Sequence, residues 1–197
     1  MIKFYTNREL SQKLEINLAR WKRWSREFLP PDPLGGLQSG YARQFNPNEA
    51  FAVYLGGHLV ADLKFTIPEA KKILQDLNEW LVDKGFQFDT KGGAESKEGV
   101  ESLIKRYTIF IIRYQGAPEN EKELCYIIRG LISNRPVEHM GFQVMEERYL
   151  ETSIGRQTVD TESLGKDSVK VLNITGVLER FIEKLQQGRA YYQALSC

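Results

Sequence analysis

The sequence predicts an α+β protein whose N-terminal domain is all-α and whose second domain combines an antiparallel sheet with a C-terminal amphipathic helix. Up to residue 86, capping residues precede stretches with the apolar spacing of helices. From residue 101 onward, runs of β-branched and aromatic residues predict strands. The polar, glycine-rich residues 87–100 indicate a linker or mobile loop. We therefore expect domains at 1–86 and 101–197.

The first two helices have clear start signals. Thr6 followed by Glu9 is a capping box, and leucines four residues apart then share one helix face. Residues 15–17 interrupt this pattern, and Asn17 can cap a second helix. The sequence therefore predicts two helices that a three-residue turn separates.

Two further helices open in the same way, with a cap, a proline in the first turn and a glutamate three residues after the cap. The first begins at Asn46, and we expect its apolar run to end at Gly56–Gly57. The second begins at Thr66 and can continue to about Lys84, where Gly85 ends it. Its apolar stripe suits a core or a dimer seam equally well.

The second helix concentrates positive charge. Residues 1–46 carry eight cations and four anions, so the rest of the chain has a net charge of −3. This asymmetry favours a nucleic-acid-binding head, although a solvated face would also explain it. Trp21 and Trp24 share a helix face and are expected in the core. The cations of this helix are Arg20, Lys22, Arg23 and Arg26.

A helix, a three-residue turn and a second helix form a helix-turn-helix, in which the second helix enters the major groove of DNA. Arginine suits this role because its fork donates two parallel hydrogen bonds to guanine edges or phosphates. Most of the cations should contact phosphate, since phosphate contacts outnumber base contacts.

The second domain contains four predicted strands and a last helix. The strand candidates cover residues 107–114, 124–129, 142–150 and 169–172. In the last helix one apolar stripe is formed by Val177, Leu178, Phe181, Ile182 and Leu185.

Catalytic and metal-binding chemistry finds little support in the sequence. The only histidines, His58 and His139, are more often surface residues than bases or ligands. Glu147 and Glu151 share one face of a predicted strand and Glu146 lies on the other, which favours a solvated edge over an acid–base pair. The mid-strand cysteine has no thiol partner nearby for a metal. We expect no enzyme activity, no metal and no cofactor.

The composition resembles that of ordinary globular proteins, with 42% hydrophobic and 27% charged residues. No apolar run approaches the roughly 20 residues that span a bilayer, and the N-terminus lacks the pattern of a secretory signal. Cys125 and Cys197 do not suggest a disulfide framework. We therefore expect a cytoplasmic protein that does not contact membranes.

Residues 5 to about 77 resemble the DNA-binding domain of the mercury-resistance-regulator (MerR) family of transcription regulators. That family has a helix, a turn, a recognition helix, a proline-containing exit, a wing and a further helix pair. The resemblance covers a little over a third of the chain, in the same order. The matching segments are Tyr5-Thr6, Ile16-Asn17, Lys22-Arg23-Trp24, Glu27-Phe28-Leu29-Pro30-Pro31, the wing Gly40-Tyr41-Ala42-Arg43-Gln44-Phe45-Asn46, and helices at Pro47 to Leu55 and Thr66 to Leu77.

The chain departs from the family pattern in three places. Lys22 stands where the family has an arginine, and Arg23 stands where it has its first aromatic residue. The wing has an extra residue if Arg43 is the matching arginine, and the segment 32–39 is long. These departures bear on base specificity more than on the fold.

The resemblance implies a winged helix-turn-helix domain in which Tyr41 and Arg43 contact phosphate from the wing and Lys64 from a second wing. The alternative is that Tyr41 and Phe45 pack the wing onto the helices. Because Gly85 ends the last helix early, the dimer seam is short or lies in the second domain. The residues expected to bind DNA are Asn17, Leu18, Arg20, Lys22, Arg23, Arg26, Tyr41, Arg43 and Lys64.

We therefore expect a sequence-specific regulator of transcription that binds double-stranded DNA as a homodimer. The second domain resembles no known effector domain and is expected to dimerise or to bind an unknown small-molecule effector. The alternative is an architectural or excisionase-like DNA-binding module, or a protein-interaction module, that senses no effector.

Overall fold

The computed structural model describes residues 4–32, 43–86, 104, 106–113, 124–155 and 168–194. Within these ranges the chain forms six helices and an antiparallel sheet, which confirms the α+β class. Its contacts fall into two compact units, one of residues 1–93 with 177–197 and the other of residues 94–176. The predicted linker at 87–100 lies outside the described residues.

Helices make up most of the N-terminal unit, and the predicted caps open them. The caps at Thr6, Asn17, Asn46 and Thr66 are all present, each with its side chain accepting a backbone N–H, so these predictions are confirmed. The elements are β1 (Tyr5–Thr6), α1 (Asn7–Lys13), α2 (Leu18–Phe28), β2 (Gln44–Phe45), α3 (Pro47–Ala61), α4 (Ile67–Asp76) and α5 (Asn78–Asp83). β1 and β2 pair antiparallel, with Tyr5 opposite Phe45.

α3 continues through Gly56 and Gly57 to Ala61, so the expectation that its apolar run ends at these glycines is wrong. A Cβ at Gly56 would lie 2.6 Å from the Phe28 ring, and one at Gly57 would lie 2.3 Å from the Trp24 ring. Both distances are far below van der Waals contact. The glycines therefore let α2 lie close to α3, and this packing outweighs a helix-propensity cost of about 1 kcal/mol per glycine.

The helix that begins after Thr66 is not continuous to Lys84, as the sequence had allowed. α4 and α5 meet at Leu77, which is buried and takes the role of C-cap for one and N-cap for the other. The break lets α5 bury Trp80, whose ring stacks on Phe86 with a centroid distance of 5.5 Å. Gly85, at φ +74°, follows α5, as predicted.

The core of the N-terminal unit includes both tryptophans of α2. Trp21 is fully buried and meets Phe45 edge-to-face, with ring centroids 5.8 Å apart. Trp24 lies against α3 and is 7% exposed. The prediction that the tryptophans belong to the core is therefore confirmed. Phe45 packs against α2, in agreement with the alternative that this residue packs the wing onto the helices.

The last helix, α6 (Ile174–Ala194), packs from Val177 onward within the N-terminal unit, whereas the sequence had grouped it with residues 101–176. The Phe181 ring lies 5.3 Å from that of Phe51 and 5.4 Å from that of Tyr54. Lys13 donates to the Leu185 carbonyl at 3.1 Å, so α1 is also attached to α6. Three residues of the predicted stripe, Val177, Phe181 and Leu185, are buried.

The other unit is built on one antiparallel sheet with strand order β5-β4-β3-β6. Every predicted strand is present, although β4 extends ten residues beyond its predicted end at Arg129. The strands are β3 (Arg106–Arg113), β4 (Leu124–His139), β5 (Phe142–Ile154) and β6 (Ser168–Leu172). Its buried side chains include Ile109, Ile111, Tyr126, Ile128 and Leu172.

The β4–β5 hairpin continues beyond the rest of the sheet. Among the described residues, β3 pairs with β4 as far as Leu131, and β4 and β5 pair with each other down to His139 and Phe142. Met140 and Gly141, both at positive φ, form the two-residue turn that joins the strands. The hairpin is largely exposed beyond Leu131.

Replacing Gly57 with alanine should destabilise the protein, although alanine is the better helix former. The added Cβ would overlap the Trp24 ring, so we expect the free energy of unfolding to fall by about 1–3 kcal/mol. Urea unfolding measures this change. A gain in stability, as helix propensity alone predicts, would show that α2 and α3 are not in close contact.

Glu15→Gln should reduce stability at neutral pH and bring the variant closer to the parent in acid. Lys184 donates a hydrogen bond to Glu15 and lowers the pKa of that carboxyl below its usual 4.5. Because the folded-state pKa is depressed, the stabilisation is present above the unfolded-state pKa and is lost as pH falls through the folded-state pKa. Melting temperatures across an acid pH series test this, with Glu179→Gln on the exposed side of α6 as control. A constant difference at every pH would contradict the pairing.

Candidate nucleic-acid interface

Local hydrogen bonds fix the start of α2. The Asn17 side-chain oxygen accepts the backbone N–H groups of Ala19 at 2.9 Å and Arg20 at 3.3 Å. The Ser11 hydroxyl donates to the Ile16 carbonyl at 2.8 Å, which ties the turn to α1. Asn17 is therefore a helix cap, and its side-chain oxygen is already engaged.

α2 separates apolar and basic residues onto opposite faces. Trp21, Trp24 and Ser25 are buried, and the Ser25 hydroxyl donates to the Lys22 carbonyl at 3.1 Å. At 3.6 residues per turn, the basic residues cover roughly 160° of the helix surface. Those exposed cations are Arg20, Lys22, Arg23 and Arg26, as the sequence predicted.

An open groove of about 840 Å³ runs along one side of the basic face. Arg20, Arg23 and Lys64 line it, so the structure brings three predicted DNA-binding residues together. The Arg20 guanidinium also lies 5.9 Å from the centroid of the Trp24 ring. Lys64, at φ +58°, donates to the Ala61 carbonyl at the end of α3.

Lys22 and Arg26 lie on the other side of the basic face. Together with Arg43 they line a second open cleft, of about 480 Å³, beside Pro30 and Pro31. The cations of α2 therefore line an open groove on one side of the helix and an open cleft on the other.

Arg43 ties the β1–β2 ribbon to its surroundings. Its guanidinium donates to the Pro30 carbonyl at 2.9 Å and to Glu49 at 3.2 Å, and it lies 5.5 Å from the centroid of the Phe45 ring. Only 16% of the Arg43 side chain is exposed. Arg43 is thus engaged in structural contacts, and a role as a free phosphate contact, as the resemblance implied, is not what this geometry favours.

Two predicted residues remain. Leu18 is half-buried in the first turn of α2. Tyr41 lies outside the described residues, so neither a phosphate contact nor packing of the wing is established for it.

Among the described residues, two anions stand beside the cations of α2: Asp32, which lines the second cleft with Lys22 and Arg26, and Glu27. Glu27 accepts a hydrogen bond from Lys71 on α4 at 2.7 Å, and this bond lowers the pKa of the Glu27 carboxyl, with smaller contributions from Arg23 and Arg26. The carboxylate is therefore ionised and paired at neutral pH, and its pairing with α4 limits how much it neutralises the basic face.

Residues that the sequence analysis missed complete the groove. Ala19, Thr66 and Pro68 line it with Arg20 and Arg23. Ala19 could have been found from helical spacing, since it lies four residues before Arg23. The contribution of Thr66 and Pro68 depends on how α4 follows α3, which no local pattern shows.

The described residues contain no group of three or more histidine, cysteine or carboxylate side chains able to hold a metal ion. None of the described helices combines the length and apolar character needed to cross a membrane.

Neither a model of a known protein family nor any curated protein matches the chain. The resemblance to the MerR family therefore rests on the sequence motifs alone.

Asn17→Ala should destabilise the protein by about 0.5–2 kcal/mol, because α2 loses its cap. Asn17→Ser keeps a capping oxygen and should stay close to the parent in urea unfolding. If the Asn17 side chain reads a base instead, Asn17→Ser would keep its stability but lose as much DNA affinity as Asn17→Ala.

Proposed function

We propose that the protein is a regulator of transcription that binds double-stranded DNA in a sequence-specific manner as a homodimer. The supporting observation is the exposed face of α2, where four cations project opposite two buried tryptophans. An 11-residue helix is about 16 Å long, and the major groove of DNA is about 12 Å wide, so α2 can enter it.

The fold of this region supports the same proposal. We propose that α1, the turn at residues 14–17 and α2 form a helix-turn-helix, and that the β1–β2 ribbon is the base of a wing. The capped turn and the antiparallel pairing of Tyr5 with Phe45 support this assignment. The proposed domain is MerR-like, in line with the motifs of residues 5–77.

The positions of the cations on α2 suggest different roles. Arg23 and Arg26 lie near the middle of the exposed face, and Arg20 and Lys22 lie at its two edges. A helix in the major groove has a phosphate backbone on either side, so the edge cations would bind phosphate. Arg23, next to the small Ala19 side chain, would then reach a base edge, and Lys64 would add a phosphate contact from the groove.

A small-molecule effector for the second unit and a cytoplasmic location remain part of the proposal as predictions. The groove that Arg20, Arg23 and Lys64 line is positively charged and suits a polyanion.

Arg20→Ala and Arg23→Ala should each weaken binding to a selected duplex, measured by fluorescence anisotropy across a salt series. Loss of one phosphate contact should reduce the slope of the logarithm of affinity against the logarithm of salt concentration by about 1. Loss of a base contact should instead cost about 1–3 kcal/mol of binding free energy and relax specificity at one base position. Arg20→Ala should show the first behaviour and Arg23→Ala the second.

Arg180→Ala is the matched control, since it removes the same charge from the exposed side of α6 in the same unit. If all three variants lose affinity equally, the binding is not localised to α2. If the parent binds all duplexes with equal affinity, the architectural alternative replaces the regulator proposal.

A further inference from the structure

Strand β5 forms one edge of the sheet, and within the described part of the chain nothing pairs with its outer side. The strand has 13 residues and is therefore about 44 Å long. Edge strands offer backbone hydrogen-bonding groups to other strands, and proteins usually protect them with proline, lysine or a covering element. β5 contains neither proline nor lysine.

β5 also exposes large apolar side chains on both faces. Phe142 is 72% exposed and Met145 is 61% exposed. An isolated two-stranded ribbon is only marginally stable in water, so the outer part of this hairpin would gain stability from a further strand. The exposed apolar residues of β5 are Phe142, Val144, Met145, Tyr149 and Leu150.

The sequence of β5 is complementary to itself about Glu147. In a two-fold antiparallel pair centred there, Val144 lies opposite Leu150 of the second copy, and Met145 lies opposite its Tyr149. Glu146 lies opposite Arg148 of the second copy, which pairs opposite charges on the same face. Every apolar residue from 144 to 150 thus lies opposite an apolar residue of the second copy. On the face that carries Glu146 and Arg148, each charge lies opposite a charge of the other sign.

Other registers lack this complementarity. Moving the axis to Glu146 places Arg148 opposite Val144, and moving it to Arg148 places Leu150 opposite Glu146. A shift of the axis by one residue therefore sets charged groups against apolar ones in either direction.

Charge also decides between protein and nucleic acid as the occupant. β5 carries Glu146, Glu147 and Glu151 against the single cation Arg148. Neighbouring β4 cations are already paired, since Arg135 and Arg129 each lie 2.7 Å from a β5 carboxylate. A polyanion would be repelled, whereas a second copy of β5 supplies the matching charges. Arg148, at 3.7 Å from Glu146 within the chain, is the more loosely paired partner.

We propose that two copies of the chain dimerise by antiparallel pairing of β5 with β5 about Glu147, so that the two sheets join into one. This inference rests on the proposed function in that it supplies the homodimer, but the pairing itself requires no DNA. Glu147 has a distinctive place in this pair, because it lies on the two-fold axis opposite Glu147 of the second copy, where the two like charges repel each other.

Cross-linking tests the register. In the full chain carrying Cys197→Ser, Glu147→Cys should form a disulfide-linked dimer on mild oxidation without DNA, because opposite residues lie about 4.5–5.5 Å apart and a disulfide fits that spacing. Gln143→Cys is the matched control, since two such residues would lie about 27 Å apart along the strands. Native Cys125 is buried and stays. Equal cross-linking of both variants, or none at Glu147→Cys, overturns the proposal.

Sedimentation equilibrium provides an independent measurement. Val144→Asp should raise the dimer dissociation constant more than tenfold, whereas Val171→Asp on the opposite edge strand should leave it unchanged. Glu147→Gln should lower it by about two- to fivefold, because like charges directly opposite each other are destabilising. A monomeric parent, or equal effects of the two aspartates, contradicts the pairing.

The experiments distinguish a failure of the proposed dimer from a failure of the proposed DNA binding. Arg20→Ala should weaken DNA binding in a chain that still cross-links at position 147. If cross-linking succeeds and no duplex is bound, the dimer stands and the regulator proposal fails. If DNA is bound and cross-linking fails, the β5 dimer is excluded and the DNA proposal remains.

Discussion

The burial of Trp21 and Trp24 is the constraint on which the N-terminal unit depends. Their indoles occupy one face of α2, Trp21 against Phe45 and Trp24 against Gly57. Burying a large apolar side chain stabilises by about 1.5–3 kcal/mol, whereas an exposed ion pair contributes about 0–1 kcal/mol. The rotation of α2 about its axis is therefore set by the tryptophans, and the direction in which the cations project follows from that rotation.

The sequence predicted the features of this unit that depend on local interactions. The caps at Thr6 and Asn17 require residues only two or three positions apart, so their patterns are visible without the fold. The glycines at 56–57 were misinterpreted because local propensity predicts a helix end, whereas the rings of α2 occupy the space that side chains would fill. The break at Leu77 was also missed, since no glycine or proline marks it.

The role of Arg43 shows the limit of sequence reasoning for the site. The resemblance to the MerR family implied a wing residue that contacts phosphate, but the Arg43 guanidinium donates to the carbonyl of Pro30, which follows α2, and to Glu49 of α3. Only the fold brings the three together. By contrast, the exposure of Arg20 and Arg23 followed from helical periodicity, because it required only that the tryptophans be buried. The extension of β4 was likewise hidden, since Pro136 argues against a long strand until its pairing with β5 is known.

Residues 177–186 show that order along the chain does not define the units. Phe181 covers Phe51 and Tyr54 of α3, and Lys184 donates to the Leu14 carbonyl at the end of α1. A fragment ending at residue 86 would leave those rings without this cover. The N-terminal unit therefore includes a helix from the far end of the sequence, which a grouping drawn from local composition had assigned to the other unit.

The charges of β5 favour a closed dimer over open aggregation. An exposed apolar edge without lysine or proline can add strands indefinitely. Parallel in-register stacking would place Glu146, Glu147 and Arg148 each against its own copy at every step, and like charges directly opposite each other are destabilising. The antiparallel two-fold pair meets only one such repulsion, at Glu147, and pairs Glu146 with Arg148 twice. In the two-fold pair the outer side of β5 is hydrogen-bonded on both subunits, so a third copy cannot add to β5.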